Sequence, residues 1–294
     1  MTFRIRLLLI FTVAVVASVG VVEWSVAVST REAFERLESQ RVSAFMAQFR
    51  NEFERRKQEI VRAVTRIAGS PVATDIAISA NPADYYREAA RLASTNGLDL
   101  LELVAADGTI VSSAEWEARF SYKEEWLTMG GDWKSPGAFL KREELPDGVT
   151  LSLVAVATAI AGDHKLYVAG GQQLDKDFLA TLVLPEGMRV LLYRNLDPQF
   201  SPAQLLQASA GALRPGQLQP LIEQVLKQKR ERIETLGQGA EAETFHALPL
   251  AGYEDNLLVV LLVGSSRRDL WRSKPRSAAS GSLWRGAACC SGSP

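Results

Sequence analysis

One uncharged apolar run, Leu7-Leu-Leu-Ile-Phe-Thr-Val-Ala-Val-Val-Ala-Ser-Val-Gly-Val-Val22, follows Arg4 and Arg6, and nothing comparable recurs in the 294 residues. A segment of this kind cannot pack in water by itself. It restricts the chain to one apolar helix at the start and a separate folded body after it. The uncharged core is shorter than the ~20 residues that span a bilayer. Trp24, Val26, Ala27 and Val28 extend it if Glu23 lies near the far headgroups, and an aromatic at that depth is a usual interface anchor. Arg4, Arg6, Leu7, Val22 and Trp24 are therefore the expected anchor residues. Two arginines with no acid before Glu23 predict a cytoplasmic N-terminus, and a body beyond about Ser29 outside the cytoplasm. A cleaved secretory signal ending at Ala27-Val28-Ser29 is the alternative, and it too exports the body.

The body is 47% hydrophobic and 23% charged by the whole-chain figures, enough for one or two ordinary cores. A net charge of −1 supplies no basic field for nucleic acid. The only two cysteines, Cys289 and Cys290, are neighbours near the end, so the body has no disulfide and no thiolate metal site. His164 and His246 stand apart without acids at ligand spacing, and neither metal nor cofactor is expected.

From about Ser29 to Ala68 the sequence reads as one long helix. Phe34, Leu37, Phe45, Phe49, Phe53, Ile60, Val64 and Ile67 recur at helical steps, and no Gly or Pro intervenes before Gly69 and Pro71. Four phenylalanines are bulky for a strict coiled-coil seam, so packing on its own body is expected, with some homodimer contact. A shorter helix is predicted over Ala83–Thr95. Leu98–Val104, Asp107-Gly108 and Ile110–Ser113 form a hairpin signal. Phe139–Arg142, Val149–Ala161 and Lys165–Gln173 complete a first antiparallel sheet of about five strands between Gly69 and about Leu174. A second, smaller unit over 175–266 has a short helix at Asp175–Leu184 and a strand at Met188–Tyr193. A helix at Leu221–Arg232 and closing strands at Glu241–Leu250 and Asn256–Val263 follow. The predicted class is α+β: an N-terminal transmembrane helix (1–28), a stalk helix (29–68) and two sheet units in tandem (69–174 and 175–266).

This order resembles the exported sensor region of bacterial transmembrane receptors, most closely the double-Cache class ahead of sensor histidine kinases. Leu98-Asp-Leu-Leu-Glu-Leu-Val-Ala-Ala-Asp-Gly-Thr-Ile-Val111 and Lys165-Leu-Tyr-Val-Ala-Gly-Gly-Gln172 carry the likeness as the hairpin and the returning central strand of a PAS- or Cache-like sheet. The resemblance covers about Ser29 to Ser266. It implies a periplasmic input module in the bacterial inner membrane, binding a small ligand or sensing an envelope condition, with no catalytic domain of its own. An input domain of a chemoreceptor or diguanylate cyclase, or a ligand-free anchored scaffold, are the rival readings. In the family a second membrane helix and an output module follow. Here the text after Leu270 turns basic and low in complexity, and the segment 267–294 is expected to be a disordered or frameshifted tail of a truncated receptor.

No catalytic constellation stands out. His164 and His246 lack the setting of a phosphoacceptor, and Gly130-Gly131 and Gly170-Gly171 lack the strand–loop–helix context of a phosphate loop. Glu124-Glu125 and Glu143-Glu144 are sequence neighbours that point apart on a regular element, and are expected on the solvated surface. Ligand binding remains. Arg119, Tyr122, Lys123, Trp126 and Trp133 cluster in the irregular stretch that covers one face of a Cache-like sheet. Aromatic walls with a few fixed charges suit a small polar ligand. Asp163, Tyr85 and Tyr86 are weaker candidates. The compact Tyr–Asp arrangement of amino-acid-binding Cache units is missing from this sequence.

Overall fold

A helix of 66 residues, α1 (Phe3–Ala68), is the spine of the computed structural model. The structure describes residues 3–129, 133, 137–185, 187–207, 215–238, 242–253 and 256–266; within α1 the side chains of 3–10, 13, 27, 30–35 and 38 are left undescribed. The helix runs without a break through Ser29, because no Gly or Pro interrupts the sequence between anchor and stalk except the single Gly20. Among the described residues no helix is long and apolar enough to cross a membrane. The side chains of Arg4, Arg6 and Leu7–Ile10 lie outside the described set. From Phe11 to Val28 the described large apolar side chains are exposed, Trp24 most of all at 71%.

Among the described side chains of α1, burial begins at Val42. Val42, Phe45, Met46, Phe49, Ile60, Val64 and Ile67 lie at helical spacing and are buried in one continuous core, and Phe53 packs partly against it. The expected packing of the phenylalanines on the body thus holds for Phe45, Phe49 and Phe53, whereas the side chain of Phe34 is outside the described residues. After α1, Ser70 accepts from the Ala73 amide (3.2 Å) and caps α2 (Pro71–Ile78). Gly69-Ser70-Pro71 therefore starts a further helix as well as ending the first one. The predicted helix at Ala83–Thr95 divides into a 3-10 turn at Pro82–Tyr85 and α3 (Glu88–Asn96).

The first sheet is antiparallel, in the order β2-β1-β5-β4-β3: β1 (Leu100–Ala105), β2 (Ile110–Ser113), β3 (Phe139–Leu145), β4 (Gly148–Ala161) and β5 (His164–Gln173). The second repeats it strand for strand, β7-β6-β10-β9-β8: β6 (Met188–Arg194), β7 (Leu205–Gln207), β8 (Arg232–Leu236), β9 (Glu243–Ala251) and β10 (Leu257–Ser266). The second unit matches the first in strand count because it gains two strands, β7 and β8, that its sequence signal did not mark. Two helices belong to it as well: α5 (Lys176–Ala180), capped by Asp175, and α6 (Pro215–Gln228).

One face of the first sheet packs on α1 to α3. Gly170 makes the approach of α1 possible, since a Cβ there would stand 3.0 Å from the Val64 side chain and 2.9 Å from that of Leu101. The same core takes in Val190, Leu192, Val259, Leu261 and Val263 of the second sheet. Arg50 of α1 reaches Glu231 beside β8 at 3.8 Å. The spine passes the second unit first and the first unit last. The segment after Ser266, where the sequence predicts a tail, lies outside the described residues.

Candidate ligand site

The other face of the first sheet is built differently. Alternation along the strands turns Glu102 and Val104 of β1, Val156 of β4 and Ala169 of β5 away from α1. Phe139, Lys141 and Glu143 of β3 share that face. A short stretch after β2 covers it: a 3-10 turn (Glu117–Arg119), an extended segment, then α4 (Glu125–Met129). The extended segment lies along the outer edge of β2. The Ile110 amide donates to the Tyr122 carbonyl (2.8 Å), and the amides of Ser121 and Glu124 donate to Ile110 (2.9 Å) and Gly108 (2.8 Å). This edge pairing covers the open backbone of β2 and fixes which side chains face inward.

Its consequences separate the five residues expected to bind ligand. Arg119 faces inward, donating to Glu102 at 2.8 Å through Nη1 and to Glu124 through Nη2. Trp126 and Trp133 also face inward, on a small core of Val104, Ile110, Leu127, Val156 and Ala169, and Trp133 Nε1 donates to the Leu127 carbonyl at 2.9 Å. Tyr122 points outward and is 64% exposed. The Lys123 ammonium is taken up by Asp107 and by Thr109 Oγ1 (2.7 Å) across the hairpin turn. That bond, with Thr109, holds the Asp107 carboxyl down at about 2. Lys123 thus staples the cover to the β1–β2 turn. Asp163 is exposed in the β4–β5 turn and takes no part in this cover's hydrogen bonds among the described residues.

The structure corrects the placement of two glutamates. Glu125 and Glu144 are exposed, but Glu124 is 92% buried and Glu143 is half-buried beside it. Neighbouring carboxylates do point apart; only one of each pair meets solvent. Glu124 turns inward because its amide is held on the β2 edge, and Glu143 because it shares the face of Phe139 and Lys141. With Glu102 and the partly buried Glu115 they place four carboxylates around two cations, Arg119 and Lys141. Lys141 Nζ donates to Glu143 (2.8 Å) and stands 4.6 Å over the Trp126 ring. Glu115 accepts from the Leu101 amide at 3.0 Å.

Burial, reinforced by the negative charge of Glu115, pushes the Glu102 carboxyl up to about 8 in spite of Arg119. Burial also raises Glu115 and, against the pull of Lys141, Glu143. Desolvation opposes the charge on Arg119, and the field of Glu102 and Glu124 more than restores it. Two buried polar atoms on this face have no hydrogen-bond partner, Ser152 Oγ and Trp126 Nε1. Ser152 lies directly opposite Lys141 in the β3–β4 ladder, so it belongs to the same face.

The equivalent face of the second sheet is mainly aliphatic, with the ion pair of Arg189 and the buried Glu243 (2.5 Å) at one end beside Gly264. Leu218, Leu221, Ile222 and Val225 of α6 seal it against Leu191, Phe245, Val260 and Leu262, all fully buried. An open cavity of about 410 Å3 does occur elsewhere, where α1 meets β5 and α5, lined by Arg56, Asp99, Asp175, Asp177 and Phe178 among others. Its polar groups already hold that joint. Arg56 donates to Gln172 (3.2 Å) and Thr181 (3.4 Å), Asp99 accepts from the Gln173 amide, and Asp175 caps α5. Among the described residues no group of three His, Cys, Asp or Glu side chains is placed to hold a metal ion.

No family model matches the sequence, and no curated protein does. Among solved structures, the extracellular domain of a candidate histidine kinase superposes with a TM-score of 0.50 at 14% identity, over 80% of this chain and 98% of that one. The chain shares its fold with that extracellular domain. The sensor domain of the V. cholerae histidine kinase DctB matches with a TM-score of 0.40 at 12% identity, over 80% and 98%. The ligand-binding domain of the Campylobacter jejuni chemoreceptor Tlp3, in complex with L-valine, matches with 0.47 at 9%, over 84% and 97%. Glu102 was the polar residue of the site most open to detection from sequence. It interrupts Leu100-Leu-Glu-Leu-Val-Ala105 in phase with Leu100 and Val104, so a buried strand had to carry a buried charge. Lys141 opens the charged run Lys141-Arg-Glu-Glu144, which reads as a solvated edge.

Proposed function

We propose that this chain is the extracytoplasmic input module of a membrane-anchored sensor histidine kinase, and that it binds a small polar ligand between the first sheet and its cover. The observation that carries the reading is the contrast between the units. Sheets of identical strand order are closed differently: the second by an aliphatic helix beside the Arg189–Glu243 pair, the first by a network of four carboxylates, two cations and aromatic rings. A domain needing only stability would bury aliphatic residues in both. Arg119, Trp126 and Trp133 are the proposed ligand contacts. Tyr122 and Lys123 hold the rim.

The start of α1 is the proposed anchor, with Arg4 and Arg6 on the cytoplasmic side. Apolar side chains exposed around the helix from Phe11 to Val28 support it, since a helix apolar on all sides needs a nonaqueous neighbour. The stalk is the proposed homodimer contact, where Leu37 is exposed on α1. Ligand binding would shift the sheet units, and α1 would carry that shift toward the membrane.

A thermal-shift screen of the purified protein against small carboxylates, amines and zwitterions tests this reading. Consistent stabilisation by one chemical class, abolished by Trp126→Ala and retained by Tyr122→Ala, is the expected result. Stabilisation by none of them would favour a ligand-free scaffold.

A further inference from the structure

The aromatic group that closes the candidate site is not built by one unit. Tyr253 belongs to the turn between β9 and β10 of the second unit, yet its ring lies among the aromatics of the first. Its centroid is 4.9 Å from Phe139, 6.0 Å from Trp126 and 6.1 Å from Trp133, the last nearly parallel. Rings at these separations attract one another beyond simple burial.

Two further ties fix this approach. Gly252 forms a parallel bridge to Leu140 of β3, so close that a Cβ at 252 would stand 2.8 Å from the Leu140 carbonyl oxygen. Arg142 Nη1, also on β3, donates to the Leu196 carbonyl of the second unit at 3.0 Å. The strand nearest the aromatic cover of the first unit is therefore held by the second.

What the turn connects gives the contact its meaning. β10 pairs with both β6 and β9, and its Val259, Leu261 and Val263 belong to the same core as α1. On the other side, Trp126 carries Lys141, and Lys141 holds Glu143 in the charged network. The Tyr253 ring fills the space over Phe139, so a ligand inserting between Trp126 and Phe139 must move it.

We infer that Tyr253 is a latch between the units: its ring forms a wall of the candidate site, and its seating there sets the position of the β9–β10 turn. Displacing it passes occupancy of the first unit directly into the central strand of the second, without requiring α1 to bend. As regulation of ligand binding this rests on the function proposed above, whereas the coupling between units does not.

Hydrogen exchange on the full chain tests the coupling with no ligand added, so a failed ligand screen and a failed latch give different results. Tyr253→Ala should quicken exchange severalfold over 124–129 and 139–145. Trp126→Ala should do the same over 243–251 and 257–263. Tyr253→Phe, which keeps the ring, should match the wild type. Phe200→Ala removes the ring stacked 5.2 Å from Tyr193 elsewhere in the second unit, and should leave the cover unchanged. The latch is overturned if Tyr253→Ala leaves the cover as protected as before, if Phe behaves like Ala at 253, or if Phe200→Ala quickens the cover equally.

Discussion

Glu102 is held where a carboxylate is costly, and the sign of that cost can be followed with pH. Its folded-state pKa lies at about 8, above the ordinary 4.5. The native state therefore binds the proton more tightly than the unfolded chain does. Stability from this group is fully present below pH 4.5 and is lost as pH rises through 8. Glu115 and Glu143 are raised as well and add losses of the same sign. Urea unfolding should show the wild type losing stability between pH 5 and pH 8. Glu102→Gln, which keeps an oxygen for Arg119, should flatten that slope by about 1 kcal/mol per pH unit. An unchanged slope would mean that Glu102 does not titrate there. Ser152 offers a second test on the same face. Its buried Oγ has no partner, so Ser152→Ala should leave the unliganded protein as stable or more so, by about 1 kcal/mol in the melting equilibrium. At this scale sequence reasoning singled out Arg119, Trp126 and Trp133, which the structure brings to one face, because a basic and aromatic cluster in an irregular stretch is locally visible. Glu124 and Glu143 were misplaced because facing is decided by edge pairing and strand phase, which neighbouring residues do not reveal. Tyr253 had no local signal at all, since a turn tyrosine acquires its role from the other unit.

Among the elements, those with strong periodicity were legible: the spine, the Asp107-Gly108 hairpin and the long strands β4, β5, β9 and β10. The weaker ones were not. β7 has three residues, and β8 alternates exposed and half-buried positions, so neither could announce itself against a helical or polar background. α2 was hidden because Gly69 and Pro71 signal a stop, although a proline at the first helical position also signals a start. Glycines in β5 separate two requirements. Gly170 admits α1, where flexible side chains could give way. Gly171 meets backbone, since a Cβ there would stand 2.2 Å from the Leu153 carbonyl oxygen. Gly171→Ala should therefore lower the melting temperature much more than Gly170→Ala. The reverse order would show that the β4–β5 ladder relaxes more readily than the helix interface. α6 can be tested in the same way. Leu221→Ala opens a fully buried site and should cost about 2–5 kcal/mol. Because α6 packs on the second sheet's far face, hydrogen exchange in β1 and β2 should stay as it was.

For the whole molecule the question is what α1 contributes beyond carrying an anchor. One core spans both sheets, and the helix is the element that reaches from Glu231 in the second unit to Gly170 in the first. Up to Arg41 its described side chains are exposed; from Val42 it is buried in the body. The two parts should separate cleanly. A chain beginning at Gln40 loses the exposed segment and should unfold in urea at the midpoint of the full chain. A chain beginning at Glu54 loses Val42, Phe45, Met46 and Phe49 as well. Burying each such side chain is worth about 1.5–3 kcal/mol, so the four together approach the ~5–15 kcal/mol that holds a domain folded. That shorter chain should lose protection against hydrogen exchange in β6 and β10 first, because the missing residues lie alongside the second unit. The first sheet, still backed by Ile60, Val64 and Ile67, should persist to higher urea. If both sheets stayed equally protected in the shorter chain, the helix would be an attachment to two self-sufficient units, and the route between them would run through the contacts at Tyr253, Gly252 and Arg142.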